Sequence, residues 1–329
     1  MENSSADGAK SYAKFERCLK GWAAFEKAAT SAESHWFKDL LSLWRPSGHP
    51  SDKYGLRLAI RNNYLNFYRR GQSVARVACV RGKLVADVHY KYVLGEPLGY
   101  SGPLYLRLNA EGHFPEASRA RSYEGPATLQ LWIDAANKYV GDEKSFVDRL
   151  VEKNEHVIDL EMALPAWTLP NVAVRMDLVA IENGKVVFWE VKTVDDSRIR
   201  CRAEFEEDKS PHVLKQLSHY RVFLKEDPHI ERVESAYRSA AGFLVKLRAL
   251  ADENNIGPAL KLGDRIVAAS QAHRLDVARL ANLVVVDLKE APKGPAWTSW
   301  KSSHEAKLKG KIPMLVLERP GLLVFAGAQ

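Results

Sequence analysis

The chain has 329 residues, 46% hydrophobic and 27% charged, with a formal charge of +7. That is ordinary globular usage, which excludes a fibrous or disordered chain, and at roughly 150 residues per domain it allows about two domains. No apolar run approaches the ~20 residues of a membrane span and MENSSADGAKSYAK has no apolar leader core, so a cytoplasmic protein without a membrane partner is expected.

In chain order, helical patterning over residues 11–44 gives way to the loop RPSGHPSDKYG and then to a β-meander over about 55–95. Arg70-Gly71 and Arg81-Gly82 separate the runs YLNFY, SVARVACV and KLVADVHYKYV. Alternation puts Leu56, Leu58 and Ile60 on one face and Arg57 and Arg61 on the other. From Ser42 to Tyr92 ten basic residues face only Asp52 and Asp87, a net +8 that leaves the rest of the chain near neutral. Tyr64, Phe67, Tyr68, Tyr90 and Tyr92 are interleaved with them. Two readings weigh equally: a surface on which Arg57, Arg61, Arg69 and Arg70 grip phosphates while rings stack on bases, or a half-buried sheet with a solvated basic face.

A short strand near 104–108 and a loop through Gly125-Pro126 end this region. The expected organisation is a basic α+β amino-terminal domain, 1–125, acting as substrate guide or partner contact, and a second domain, 126–329. Helices at about 127–139 and 142–153 precede three strand-like runs, HVIDLEMAL, AVRMDLVAI and KVVFWEVKT. A polar link, DDSRIRCRAEFEEDKS, leads to a helix from Pro211 to about Leu224, with Ser210 as its cap. Helices at 232–253 and 264–280 and two late strands, NLVVVDL and IPMLVLE, around a helix near 299–309, complete an α/β core.

Asn183-Gly184 between two apolar runs signals a two-residue type I′ hairpin. Its register places Asp177 directly opposite Glu190, with Cβ atoms roughly 4.5–5.5 Å apart, and Lys192 on the Glu190 face opposite Arg175. Everything else in the hairpin is apolar: Met176, Leu178, Ala180, Val187, Trp189 and Val191 on one face, Val179, Ile181, Val186 and Phe188 on the other. Two opposed acids there need cations or a shared proton, and a hard divalent metal with oxygen ligands fits. The competing explanation is a plain ion network in which Arg175 and Lys192 pair with the acids.

Asp177, twelve intervening residues and then Glu190-Val191-Lys192 resemble the PD-(D/E)XK nuclease signature of the restriction-endonuclease-like fold. Gln216-Leu-Ser-His-Tyr220 resembles the QxxxY motif of its RecB-like branch. Met176 stands where the family often has proline. The resemblance spans about 140–225 and implies an αβββαβ core with a mixed sheet flanked by helices. Asp142-Glu143-Lys144 and Asp287-Leu288-Lys289 also match the bare [DE]xK pattern, but neither follows a tight hairpin carrying an opposed acid.

The resemblance implies metal-dependent phosphodiester hydrolysis, with DNA favoured over RNA as substrate and Mg²⁺, replaceable by Mn²⁺, held by Asp177, Glu190 and the Val191 carbonyl. Lys192 would orient the attacking water or stabilise developing charge, and Gln216 and Tyr220 would position the strand or support the metal site. A further acid is expected from the preceding helix, Glu143 in preference to Glu152. Asp159 and Glu161 read as an exposed strand face. Arg198, Arg200, Arg202 and His212 are candidate phosphate contacts, although four acids after Arg202 offer alternative partners. Cys18, Cys79 and Cys201 are scattered and too few for an all-cysteine iron–sulfur cluster. Without a P-loop any motor would be a separate ATPase or helicase chain, as in the prokaryotic defence and repair assemblies where such nucleases work. The alternative is a catalytically silent nucleic-acid-binding or scaffold protein of the same fold.

Overall fold

The structure, a computed structural model, describes residues 15–95, 100–117, 119–164, 175–200, 211–289 and 294–317. Two sheets flanked by helices give a mixed α/β fold. The first helical region is not continuous: it divides into α1 (Trp22–Thr30) and α2 (Trp36–Ser42). Ser31 is extended, and the His35 ring accepts the Phe37 N–H at 3.1 Å to start the second helix.

Strands β1 (Arg57–Ile60), β2 (Tyr64–Arg69), β3 (Gln72–Val80) and β4 (Lys83–His89), the single helical turn α3 (Tyr90–Val93) and strand β5 (Tyr105–Leu108) come next. The strands form one antiparallel sheet in chain order. Arg70-Gly71 and Arg81-Gly82 all have positive φ, as two-residue type I′ turns require. The strand expected to run on through Tyr92 stops at His89. Its ring accepts the Lys91 N–H and caps the turn that follows.

After Gly125 come α4 (Pro126–Asn137), α5 (Asp142–Lys153), β6 (Val157–Ala163), β7 (Arg175–Glu182), β8 (Lys185–Thr193) and α6 (His212–Phe223). Then follow α7 (Asp227–Glu253), α8 (Asp264–Gln271), β9 (Asp276–Val277), β10 (Asn282–Val286), α9 (Pro295–Ser303) and β11 (Met314–Leu317). The helix expected over 264–280 ends at Gln271, because Asp276 and Val277 pair with the start of β8 instead. The second sheet has the order β11-β10-β8-β7-β6, with β6, β7 and β8 antiparallel and β10 and β11 parallel to β8. Ser210 lies outside the described residues.

Both faces of the β7–β8 hairpin are covered, which explains its unbroken apolar sequence. Val179, Ile181, Val186 and Phe188 join one core, while Leu178, Ala180, Val187, Trp189 and Val191 join another, with Phe146, Val147, Leu150 and Val151 of α5. Met176 departs from strict alternation and joins the first.

The arginine face of the first sheet is not solvated. Arg57, Arg61 and Arg69 are buried, so the expectation that they grip a polyanion is corrected. Arg57 donates to Asp148 at 2.9 Å and to the carbonyls of Arg45, Pro46 and His49. Arg69 ties Ser51, Asp52, Gly55 and Asn137 together. Arg61 reaches from the first sheet to the second, where it binds Asp159 and the Leu160 carbonyl. Asp159 is therefore not on an exposed strand face: it is 2% exposed and also receives Arg17 and the Tyr237 hydroxyl. Each of these three guanidiniums replaces water by protein acceptors, so their share of the positive charge is spent inside the molecule. Arg70 sits at a turn, half-buried, and Phe67, Tyr68 and Tyr92 are buried.

Candidate active site

Asn183 and Gly184 have φ of 50° and 73°, and the hairpin pairs Glu182 with Lys185 through Leu178 with Trp189. The pairing ends there, and Asp177 and Glu190 are the next residues outward on the two strands. The Val191 N–H donates to Asp177 Oδ2 at 2.8 Å, which fixes that carboxylate across the strands. Lys192 is 1% exposed, and its ammonium contacts Glu190 Oε1, the Val191 carbonyl at 2.7 Å and Asp177 Oδ2 at 3.8 Å. A cation thus already lies among the three oxygen donors that the sequence nominates for a metal.

Helix α5 places its first turn at the same end of the sheet because its apolar stripe is docked on the hairpin. Glu143 lines the cavity, whereas Glu152 accepts the Ser51 N–H at 2.8 Å and lies 3.6 Å from Arg57. Lys144, passed over in the sequence as part of a chance DEK run, bridges Glu161 and Asp177, the latter at 2.9 Å. Glu161 adopts φ 50° within β6, a backbone region that costs a non-glycine residue about 1–2 kcal/mol. Strand alternation alone does not foresee that irregularity. From α6, Gln216 donates to Glu190 Oε1 at 2.7 Å, and Lys215, His212 and His219 also line the cavity of about 590 Å³.

The electrostatics follow from burial and neighbours. Burial and then the Asp177 charge push the Glu190 carboxyl up to about 7, against Lys192 and Gln216. Burial also acts to raise Asp177, but Lys144, Lys192 and the Val191 N–H outweigh it and hold that carboxyl below the usual range. Burial and Asp177 raise Glu143. Burial acts to lower the Lys192 ammonium, but Glu190, Asp177 and Glu143 raise it, so it stays charged.

The other nominated cations divide. Arg198 lines the cavity but its guanidinium is held by Asp196. Arg200 donates to the carbonyls of Val194 and Ala296 at 2.9 and 3.1 Å, so its phosphate role is corrected to a structural tie. Arg202 lies outside the described residues.

Two buried oxygens at this site, Glu190 Oε2 and the Tyr220 hydroxyl, have no hydrogen-bond partner among the described residues. Burial, reinforced by Glu190 and Asp177, drives the Tyr220 phenol far above its ordinary range, so it stays a neutral donor. Because that hydroxyl makes no hydrogen bond among the described residues, Tyr220→Phe is expected to leave thermal stability unchanged to within about 1 kcal/mol or to raise it. A larger loss in thermal denaturation would show that the hydroxyl supports the fold.

The chain matches no family model, no curated protein and no solved structure.

Proposed function

We propose that the chain is a metal-dependent nuclease of the PD-(D/E)XK type, hydrolysing phosphodiester bonds with DNA as the first expected substrate. The observation that carries this reading is the pair of buried acids, Asp177 and Glu190, with the Lys192 ammonium beside both and a Glu190 oxygen that has no hydrogen-bond partner among the described residues. The succession α5, β6-β7-β8, α6, followed after α7, α8 and β9 by β10, is compatible with the αβββαβ order that the resemblance implies.

The donor set suits magnesium. Among the described residues no three His, Cys, Asp or Glu side chains form a metal cluster. Two carboxylates and the Val191 carbonyl, completed by water and substrate phosphate, match the sparse protein ligation Mg²⁺ prefers. When bound, Mg²⁺ or Mn²⁺ supplies a Lewis acid that lowers the pKa of its water and offsets charge on the phosphate. Asp177, oriented by Val191 and Lys144, and Glu190, oriented by Gln216, provide the anionic seat. Lys192 reaches the same place as a permanent cation and stabilises negative charge gathering on the phosphate oxygens. Lys215, His212 and His219 line the approach.

Since Glu190 holds a proton up to about pH 7 without metal, the proton competes with the ion. Deprotonation favours binding, so Mg²⁺ affinity is expected to rise roughly tenfold per pH unit below that value and to level off above it. Calorimetric titration from about pH 6 to 8, with Glu190→Gln removing the dependence, tests this. An affinity independent of pH, or unchanged in the variant, would contradict it. A second reading, a binding protein without turnover, draws on the contacts of Lys144 with Asp177 and of Lys192 with Glu190, which occupy both acids without a metal. Absence of both metal binding and cleavage would favour it.

A further inference from the structure

A second cavity, of about 520 Å³, opens on the five-stranded sheet and shares Glu161 and Arg175 with the one around Asp177 and Glu190. Its walls carry Arg76, Lys91 and Arg175 beside the acid Glu161, while the two further arginines there, Arg17 and Arg61, are paired with Asp159. They are also rich in rings: Tyr64, Tyr68, Tyr92, Tyr105, Tyr139 and His89. Cations and ring faces are interleaved. The Arg76 guanidinium lies 3.9 Å over Tyr105, and the Lys91 ammonium 4.9 Å over Tyr139. His89 meets Tyr105 edge-on at 5.4 Å and Tyr92 at 5.5 Å.

Arg76 is unlike the buried arginines beside it. Its guanidinium donates to the Tyr105 hydroxyl, and its Nε is buried with no hydrogen-bond partner among the described residues. Its cross-strand neighbour Asp87 is held by Arg107. Burial and the positive charges of Lys91 and Arg76 keep His89 below the usual imidazole range, as expected where cations crowd without a matching acid. The one-turn helix α3 interrupts the strand run at this point and brings Lys91 and Tyr92 to the cavity wall.

We infer that this cavity is a nucleotide subsite that seats one or two unpaired nucleotides of a single-stranded nucleic acid flanking the bond to be cut. The inference rests on the nuclease reading only for its direction: the strand would continue past Arg175 and Glu161 to the acids. A base reaches the ring faces only when unstacked from a partner strand, and its phosphate then meets Arg76 and Arg175. A base that stays paired and stacked in a duplex does not present its face to these rings. The substrate class is therefore a single strand or a frayed end.

Fluorescence anisotropy with a labelled single-stranded oligonucleotide, in EDTA so that nothing is cut, tests the subsite. Wild type is compared with Arg76→Gln, Tyr105→Leu and Tyr105→Phe, against a blunt duplex and free nucleoside monophosphate. Arg76→Gln is expected to weaken single-strand binding about tenfold and to reduce the salt slope by about one. Tyr105→Leu should weaken it roughly tenfold, whereas Tyr105→Phe, which keeps the ring, stays near wild type. Equal affinity for blunt duplex and single strand, wild-type affinity in both Arg76→Gln and Tyr105→Leu, or displacement by mononucleotide as efficient as by the strand would overturn it. The nuclease reading fails separately: strand binding that depends on Arg76 without any cleavage in Mg²⁺ would leave the subsite standing and remove the chemistry.

Discussion

Lys192→Ala is expected to reduce Mg²⁺-dependent cleavage by on the order of 10²–10³-fold, the usual loss when a preorganised charge is removed from a phosphoryl or acyl site. The same substitution has a second consequence that a simple rate defect would not. Lys192 contacts Glu190 and approaches Asp177, and both acids are buried. Without it Lys144 remains on Asp177 only, and Glu190 is left with Gln216. Breaking a buried pair from one side costs about 3–5 kcal/mol when nothing replaces the partner. Part of that is relieved as Glu190 takes up a proton. A divalent ion does the same work, so the variant should melt markedly higher in Mg²⁺ than in EDTA, by more than wild type does. Thermal denaturation with and without metal, beside the cleavage assay, separates this from an inert ion network, which predicts no metal effect in either protein.

The second large effect is on folding. Asp159→Ala should destabilise the protein by about 3–5 kcal/mol, because Arg17 and Arg61 are then buried without their shared carboxylate. For a chain of this size that is a fall of about 4–7 °C in the melting midpoint, or loss of soluble protein. The Tyr237 hydroxyl also loses its acceptor at 3.1 Å. Arg61→Met is expected to be less harmful, since one of two guanidiniums remains on Asp159 and the new side chain is apolar. Denaturant titration of both variants checks the ranking. Equal stability of Asp159→Ala and wild type would show that the network carries no folding energy.

The hairpin was legible because Asn183-Gly184 is local turn chemistry, and such a turn dictates register residue by residue. Helix spacing put Gln216 and Tyr220 on one face, but the expectation that Gln216 serves the acids came from the resemblance, and the preference for Glu143 over Glu152 from its position near the start of α5. Burial was not legible. Alternation correctly separated Leu56, Leu58 and Ile60 from Arg57 and Arg61, but it does not say whether the polar face meets water or another sheet. Here that face meets β6 and Asp159, so a stripe that resembles a polyanion surface is an internal ion network. Lys144 and Glu161 were missed for a related reason. Their meeting over Asp177 depends on how α5 docks and on the positive φ of Glu161, neither of which has a signature in sequence spacing.

The central claim is that Asp177 and Glu190 seat the metal for phosphodiester hydrolysis. It is tested most directly by incubating labelled single- and double-stranded DNA and RNA with wild type and Asp177→Ala, in Mg²⁺, Mn²⁺ or EDTA. Cutting that needs the metal and disappears in Asp177→Ala is the predicted result. Cutting that persists in EDTA or in Asp177→Ala would contradict it.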